Sequence, residues 1–299
     1  MADLRINGET RVTGIFGDPV AHTLSPAMHN SAFAALGLNF VYLPFHVTKD
    51  GLGAAIAAVR ALGIAGVNIT VPHKEDVLPY LDEISEDARI IGAVNTIVNR
   101  GGRLTGYNTD GSGFLRAIRE EGFETRGADA VVLGAGGAAR AVCVALGKAG
   151  VRRITIFNRT YRRASSLAEH VAKATGAEAE AFSWEELETS GAAAIRAAGI
   201  VAQTTSLGMH PQENEKPPVP GGIFHKGQLV VDLVYNPPQT GFLRAAAAGG
   251  AATQNGLAML LHQGAAAFEL WTGREAPVEI MRQALMDTFV RRHADNPHL

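Results

Sequence analysis

Short apolar runs alternate with stretches whose apolar residues recur every three to four positions, beginning within the first twenty residues. Thr13-Gly14-Ile15-Phe16 predicts a strand, Pro26 to Leu36 a helix and Phe40 to Val47 a second strand. Leu52 to Leu62 predicts another helix, and Gly66 to Val71 a third strand. This β-α-β-α-β order implies a parallel sheet flanked by helices. Val94 to Asn99 and Leu104 to Gly106, joined by Arg100-Gly101-Gly102, predict a hairpin, the one antiparallel feature expected. A second series follows Asp129: Val131-Val132-Leu133, Ile154 to Phe157, Ile200 to Gln203 and Leu229 to Val234 read as short buried strands. Lys216 to Pro220 reads as a surface loop, and Ala245 to Ala252 as a helix end followed by a short strand. Leu257 to Trp271 and Pro277 to about Arg292 predict the closing helices, with residues 294–299 expected to fray.

The breaks in the second series carry the first chemistry. Val131-Val132-Leu133 runs into Gly134-Ala135-Gly136-Gly137-Ala138-Ala139, the dinucleotide spacing G-x-G-x-x-A. Its glycines allow a tight strand-to-helix turn and let backbone N–H groups approach a pyrophosphate. The next strand ends in Asn158-Arg159-Thr160, with Arg162 and Arg163 close behind. An NAD binder places an acid there for the ribose 2′-OH; arginines suit a 2′-phosphate, which points to NADP. A glycine-rich packing contact beside solvated arginines would explain the glycines but not where the arginines fall.

A length of 299 residues suggests two domains. The expected division is an α/β substrate-binding and catalytic domain, 1–110 plus 256–299, with a mostly parallel sheet, and a Rossmann-like NADP-binding domain, 111–255. A cleft between them is the expected active site. With 46% hydrophobic and 19% charged residues and a formal charge of -2, nothing electrostatic favours nucleic acid or an anionic membrane as partner. No stretch is apolar enough to span a membrane, and Met1 to Arg5 lack a signal-peptide core, so a cytoplasmic location is expected. Cys143 is the single cysteine, which excludes an intrachain disulfide, and packing of its helix against the sheet is the expected role. The ten histidines form no H-E-x-x-H and no Cys/His cluster, so no metal is expected.

Four segments concentrate polar groups that a fold alone does not need. In His22-Thr23-Leu24-Ser25-Pro26, Ser25 reads as a helix N-cap with Pro at the first helical position. Thr23 and Ser25 beside that helix start also make a carboxylate site. In Asn68-Ile69-Thr70-Val71-Pro72-His73-Lys74, the lysine falls in the first turn of the next segment, where a positive helix end would lower its pKa. His73 reads as a side-wall residue. Asn95-Thr96 and Gly106-Tyr107-Asn108-Thr109-Asp110-Gly111 follow, where Asp110 either caps a helix from Ser112 or pairs with Lys74. The last are Tyr235-Asn236-Pro237 and, on the penultimate helix, Met259 and Gln263.

Together with G-A-G-G-A-A-R, N-R-T, T-T-S-L-G-M, D-L-V-Y-N-P and N-G-L-A-M-L-L-H-Q-G, these segments stand in one order from Gly14 to about Trp271. In that order the chain resembles the NADP-linked shikimate dehydrogenase family of aromatic amino-acid biosynthesis. The resemblance implies that NADPH reduces 3-dehydroshikimate to shikimate, with Lys74 the catalytic lysine and Asp110 its partner. It implies that Thr23 and Ser25, with Tyr235, hold the substrate carboxylate, and that Thr70, Asn95, Asp110 and Gln263 read the ring hydroxyls. Gly134, Ala135, Gly136, Gly137 and Ala138 match the pyrophosphate loop, and Asn158, Arg159, Thr160 and Arg163 the 2′-phosphate grip. Leu233, Gly256 and Met259 match positions around the nicotinamide, and Glu86 aligns by spacing with a cofactor-side acid. The family contains monomers and homodimers.

Two positions depart from the family pattern: Thr23 stands where Ser is usual, and Gln203 where Asn is commoner, with an effect expected to stay local to the cofactor loop. Two other readings remain open at this point. One is a quinate/shikimate dehydrogenase using NAD, which the arginines disfavour; the other is an NADPH sensor, which would have no use for Lys74 and Asp110.

Overall fold

The computed structural model describes residues 6–210 and 212–295; the expectations for residues 1–5 and for the tail from 296 lie outside them. The chain divides into two compact units, one running to Gly113 and resuming at Leu260, the other spanning Phe114–Met259.

The first unit contains β1 (Arg11–Gly17), α1 (Ser25–Ala35), β2 (Phe40–His46), α2 (Leu52–Ala61), β3 (Gly66–Ile69), β4 (Glu83–Ile84), α3 (Glu86–Ile91), β5 (Thr96–Arg100) and β6 (Arg103–Tyr107). The sheet order is β2-β1-β3-β5-β6-β4. β1 pairs parallel with β2 and β3, and β4 parallel with β6, so the sheet is mostly parallel. β5 runs against β3 as well as β6, giving two antiparallel pairings where one was expected. The hairpin closes through Gly101 and Gly102, both at positive φ (61° and 89°), as a two-residue turn matched to strand twist requires. Ile56, Val59, Val67, Ile69, Ile97 and Leu104 form the core under α2.

Two expected boundaries move here. β3 stops at Ile69 instead of Val71, because Pro72 has no N–H for the ladder and Val71 is already 67% exposed. Ser25 is the first residue of α1 and not its N-cap, which is Leu24, with no side-chain capping bond. Thr23 Oγ1 instead accepts the Ser25 N–H at 3.3 Å, while the Ser25 hydroxyl is bonded to Tyr42.

The chain leaves this unit within α4 (Asp110–Glu120), two residues earlier than the Ser112 start expected. The second unit continues with β7 (Asp129–Leu133), α5 (Gly137–Lys148), β8 (Arg153–Asn158), α6 (Tyr161–Thr175), β9 (Glu178–Ser183), α7 (Ser190–Ala197), β10 (Ile200–Gln203), β11 (Leu229–Asp232), α8 (Gly241–Ala248) and β12 (Ala252–Gln254). All pairings are parallel, in the order β12-β11-β10-β7-β8-β9. This is the doubly wound dinucleotide-binding order, which reverses between β7 and β10, where such sheets take their ligand. The run Ala245–Ala252 divides as expected into a helix end and the approach to β12. β11 ends at Asp232, two residues short of the expected Val234, because the Asp232 carboxylate accepts the Val234 N–H at 3.0 Å and turns the chain. Cys143 is fully buried on α5, and burial pushes its thiol well above the ordinary range.

α9 (Leu257–Thr272) and α10 (Val278–Asp295) close the chain. Among the described residues no helix is long and apolar enough to cross a membrane.

Candidate active site

Lys74 and Asp110 meet in the first unit. The Lys74 ammonium donates to Asp110 Oδ2 at 2.5 Å, with side chains only 20% and 7% exposed. The expectation that Lys74 opens a helix is corrected: it lies in turns that lead into the three-residue 3₁₀ helix Leu78–Tyr80. Its own segment therefore supplies no α-helix end, and Asp110, the first residue of α4, supplies its electrostatic partner. The Lys74 carbonyl accepts the Val94 N–H at 2.8 Å, which ties the turn to the segment entering β5.

Asn95 organises the rest. Its amide donates to Asp110 Oδ1 and Thr109 Oγ1, both at 2.9 Å, and to Gln263 Oε1 at 3.3 Å. Its carbonyl oxygen accepts the Thr109 N–H at 2.8 Å and the Thr96 hydroxyl at 3.0 Å. Behind it, Asn68 donates to Thr96 Oγ1 at 3.0 Å and accepts the Tyr42 hydroxyl at 2.7 Å. Tyr42 in turn is bonded to Ser25. Five residues expected at the site, Ser25, Lys74, Asn95, Asp110 and Gln263, are thus joined by one hydrogen-bond network within a single unit. Burial of each member without its partners would cost about 1–3 kcal/mol, so the network holds its members in register. Thr70, half-buried at the end of β3, is anchored through its N–H to the Phe16 carbonyl at 3.0 Å. Gly17 is required here, since a Cβ would collide with the Thr70 methyl.

Tyr42 escapes the sequence reading, and Asn68, Thr96 and Thr109 stand in the polar segments it singled out but without a role. Asn68 carried a signal, a polar residue inside the apolar run Val67-Asn68-Ile69, but its partners lie 26 to 28 residues away. His73 is fully buried, and its Nε2 bonds the Val47 carbonyl at 2.6 Å.

The second unit presents a site of another kind. Gly134 has φ +119°, a region that excludes a side chain, and a Cβ there would lie 2.6 Å from Thr204 Oγ1. Gly136 is the N-cap of α5 with no side-chain capping bond, and a Cβ at Gly136 would meet nothing within 4 Å. The first N–H groups of α5, at Gly137, Ala138 and Ala139, therefore start a helix without a side-chain cap beneath open space, as a pyrophosphate needs. Ala135 is buried on the strand side of the turn. Asn158 ends β8 and folds the corner by donating to the Thr160 carbonyl at 2.9 Å; Arg159, Thr160, Arg162 and Arg163 are exposed. This donor set fits NADP.

The remaining expected residues divide between the units. Leu233, Tyr235, Gly256 and Met259 belong to the second, where a Cβ at Gly256 would strike the Leu233 carbonyl. Glu86 belongs to the first: exposed in the opening turn of α3, it lines a cavity of about 620 Å³ with Asp87, Arg100, Tyr107 and Glu269. Gln203 is fully buried; it donates to the carbonyls of Thr205 (3.3 Å) and Leu207 (3.0 Å) and accepts the Thr205 N–H, so it shapes the turn after β10. Asp232 beside it accepts the Thr240 hydroxyl at 2.6 Å, and burial pushes its carboxyl up to about 6.

The chain is similar to known proteins over most of its length. Three family models match the chain: the shikimate dehydrogenase substrate binding domain over residues 15–97, shikimate/quinate 5-dehydrogenase over 117–208, and the shikimate 5′-dehydrogenase C-terminal domain over 256–286. The NADP(+) shikimate dehydrogenase of Desulforamulus reducens is 51% identical over 286 residues, covering 95% of this chain and 98% of that one. The shikimate 5-dehydrogenase of Thermus thermophilus, solved with NADP(H) and shikimate, superposes with a TM-score of 0.82 at 40% identity, covering 93% of this chain and 99% of that one. The quinate dehydrogenase of Corynebacterium glutamicum, solved with NAD, gives 0.83 at 36% identity over 93% and 99%. With a relative more than half identical over nearly its whole length, the chain belongs to the shikimate dehydrogenase family.

Proposed function

We propose that the protein catalyses the reversible NADPH-dependent reduction of 3-dehydroshikimate to shikimate on the route to chorismate and the aromatic amino acids. The observation that carries this reading is the shielded Lys74–Asp110 pair, held at 2.5 Å and braced by Asn95.

NADP, when bound, supplies or accepts the hydride. In the reducing direction the Lys74 ammonium gives its proton to the ring oxygen; in the oxidising direction neutral Lys74 takes it back. Asp110 keeps the ammonium in place and has lone pairs left to accept a ring hydroxyl. Acid–base catalysis of this kind contributes about 10² to 10⁴-fold. Asn95, Thr70 and Gln263 read the ring hydroxyls, while Thr23 and Ser25, with Tyr235, hold the carboxylate. Gly134 to Ala138 hold the pyrophosphate, Asn158, Arg159, Thr160 and Arg163 the 2′-phosphate, and Leu233, Gly256 and Met259 the nicotinamide. Glu86 serves as a cofactor-side acid. A cytoplasmic monomer or homodimer completes the reading.

Initial rates with shikimate and with quinate, each with NADP⁺ and with NAD⁺, test it. Turnover of shikimate with NADP⁺ well above the other three combinations is expected. Equal or faster quinate oxidation with NAD⁺ overturns the biosynthetic assignment, and silence in all four overturns the activity.

A further inference from the structure

Beyond residue 286, where the family match ends, the last helix reaches back to the loop that carries Thr23 and Ser25. α10 packs along α1. Near the end of α10, Arg292 donates from Nη1 to the His22 carbonyl at 2.7 Å and from Nη2 to the Thr23 carbonyl at 3.1 Å. Two N–H groups of one rigid guanidinium on two consecutive carbonyls fix the orientation of both peptide groups.

The loop has few other restraints. Between β1 and α1 it contains no helix or strand, and its internal bonds are Thr23 N–H to the Val20 carbonyl (3.1 Å) and Ser25 N–H to Thr23 Oγ1 (3.3 Å). A carbonyl oxygen repels an approaching carboxylate. Engaging two of them with a cation removes that repulsion and leaves the Thr23 and Ser25 hydroxyls as the polar face of the turn, since the Thr23 and Ser25 N–H groups are already bonded and Pro26 has none. The other charges nearby do not compete. Asp18 is bonded to His46 at 2.8 Å, and burial, followed by the Arg292 charge, holds His22 below its ordinary value.

We propose that Arg292 is a positioning residue for the substrate carboxylate, holding the His22–Thr23 turn so that Thr23 and Ser25 offer a preformed, electropositive site. The inference rests on the shikimate reading above and deepens it. It assigns carboxylate recognition partly to the C-terminal helix, outside every motif that marks the family.

The test is steady-state kinetics and calorimetric binding of shikimate and its methyl ester to the parent, Arg292→Ala and Arg292→Lys. In Arg292→Ala, KM and Kd for shikimate should rise about tenfold, the worth of one charge-assisted hydrogen bond. kcat should stay within about twofold, KM for NADP⁺ should not change, and the ester, which lacks the anion, should bind as it does to the parent. Arg292→Lys, which keeps the charge but loses the fork, should recover part of the loss. An equal loss for acid and ester makes the role purely structural and overturns the inference, as does an unchanged KM in Arg292→Ala. No recovery in Arg292→Lys overturns its electrostatic part. A parent that fails to oxidise shikimate with NADP⁺ overturns the functional reading itself; a parent that succeeds while Arg292→Ala matches it overturns this inference alone.

Discussion

The two units build their sites from different materials. In the first, side chains hold side chains: Tyr42 on β2, Asn68 on β3, Asn95 and Thr96 at the start of β5, and Asp110 at the start of α4 are buried and mutually bonded. In the second, the backbone makes the site: a glycine at φ +119°, a helix beginning without a side-chain cap, and arginines exposed after β8. A backbone site depends on a few consecutive residues, and each arginine beside it can be lost without unfolding anything. A buried network fails as a unit, because every member left unpaired pays its full desolvation cost.

The largest effect expected from this contrast is at Lys74. Lys74→Ala should lower kcat by about 10² to 10⁴-fold with little change in shikimate KM, read from initial rates. A rise in KM alone would turn Lys74 into a binding residue. Next comes Arg159→Ala, which should raise KM for NADP⁺ by about 10 to 100-fold, leave KM for NAD⁺ alone and leave Tm alone, since the residue is exposed. An equal loss for both cofactors would break the 2′-phosphate assignment.

Asn95→Ala sharpens the other side of the comparison. It strips partners from the Thr109 N–H, the Thr96 hydroxyl and Asp110 at once, and should cost about 1–3 kcal/mol in denaturant unfolding together with activity. Normal stability in this variant would mean that the network is not what holds the site.

The smallest effects separate the units by pH. His29, fully buried with no hydrogen-bond partner on either ring nitrogen, stacks on Tyr42 with ring centroids 4.4 Å apart. Burial pushes it down to about 3 from an ordinary 6.5. The folded state refuses a proton that the unfolded chain accepts, so stability is full above pH 6.5 and falls as pH drops below it. Between pH 7 and 5 the loss is about 2 kcal/mol. Asp232 in the second unit has the opposite sign: with its carboxyl raised to about 6 from 3.8, its contribution is full below about pH 4 and lost as pH rises through 6. Acidification from pH 7 to 5 should therefore return about 1 kcal/mol at Asp232. His29→Phe and Asp232→Asn, compared with the parent across that range by thermal unfolding, should flatten the two slopes in opposite directions.

How much of each site is legible in the chain follows from the same contrast. Gly134 to Ala139 can be read because each residue's conformational demand is its own: a positive φ, a tight turn, an uncapped helix start. The arginines can be read because they stand at a fixed offset from that turn. Asp110 could be seen only as a choice between helix cap and lysine partner; it stands inside α4 as its first residue, and its carboxylate bonds Lys74 and Asn95. Ser25 was read as a cap because Ser before Pro is a local rule, yet its hydroxyl is engaged by Tyr42, seventeen residues on, which no local rule contains. The extra antiparallel pairing escaped for the same reason, since the alternation of apolar runs marks strands but not their neighbours.

Periodicity, glycine spacing and the run of arginines therefore determined by themselves the α/β class, the nucleotide fold and the cofactor, because turn sterics and phosphate charge act over a few residues. Only the tertiary structure decided that Asn95 would brace Asp110, that Tyr42 and Asn68 would stand behind them, and that Arg292 would reach the His22–Thr23 turn from 269 and 270 residues away. Hydrogen bonds between side chains are short-ranged in space and indifferent to separation along the chain, so such partners are chosen when the sheet is assembled.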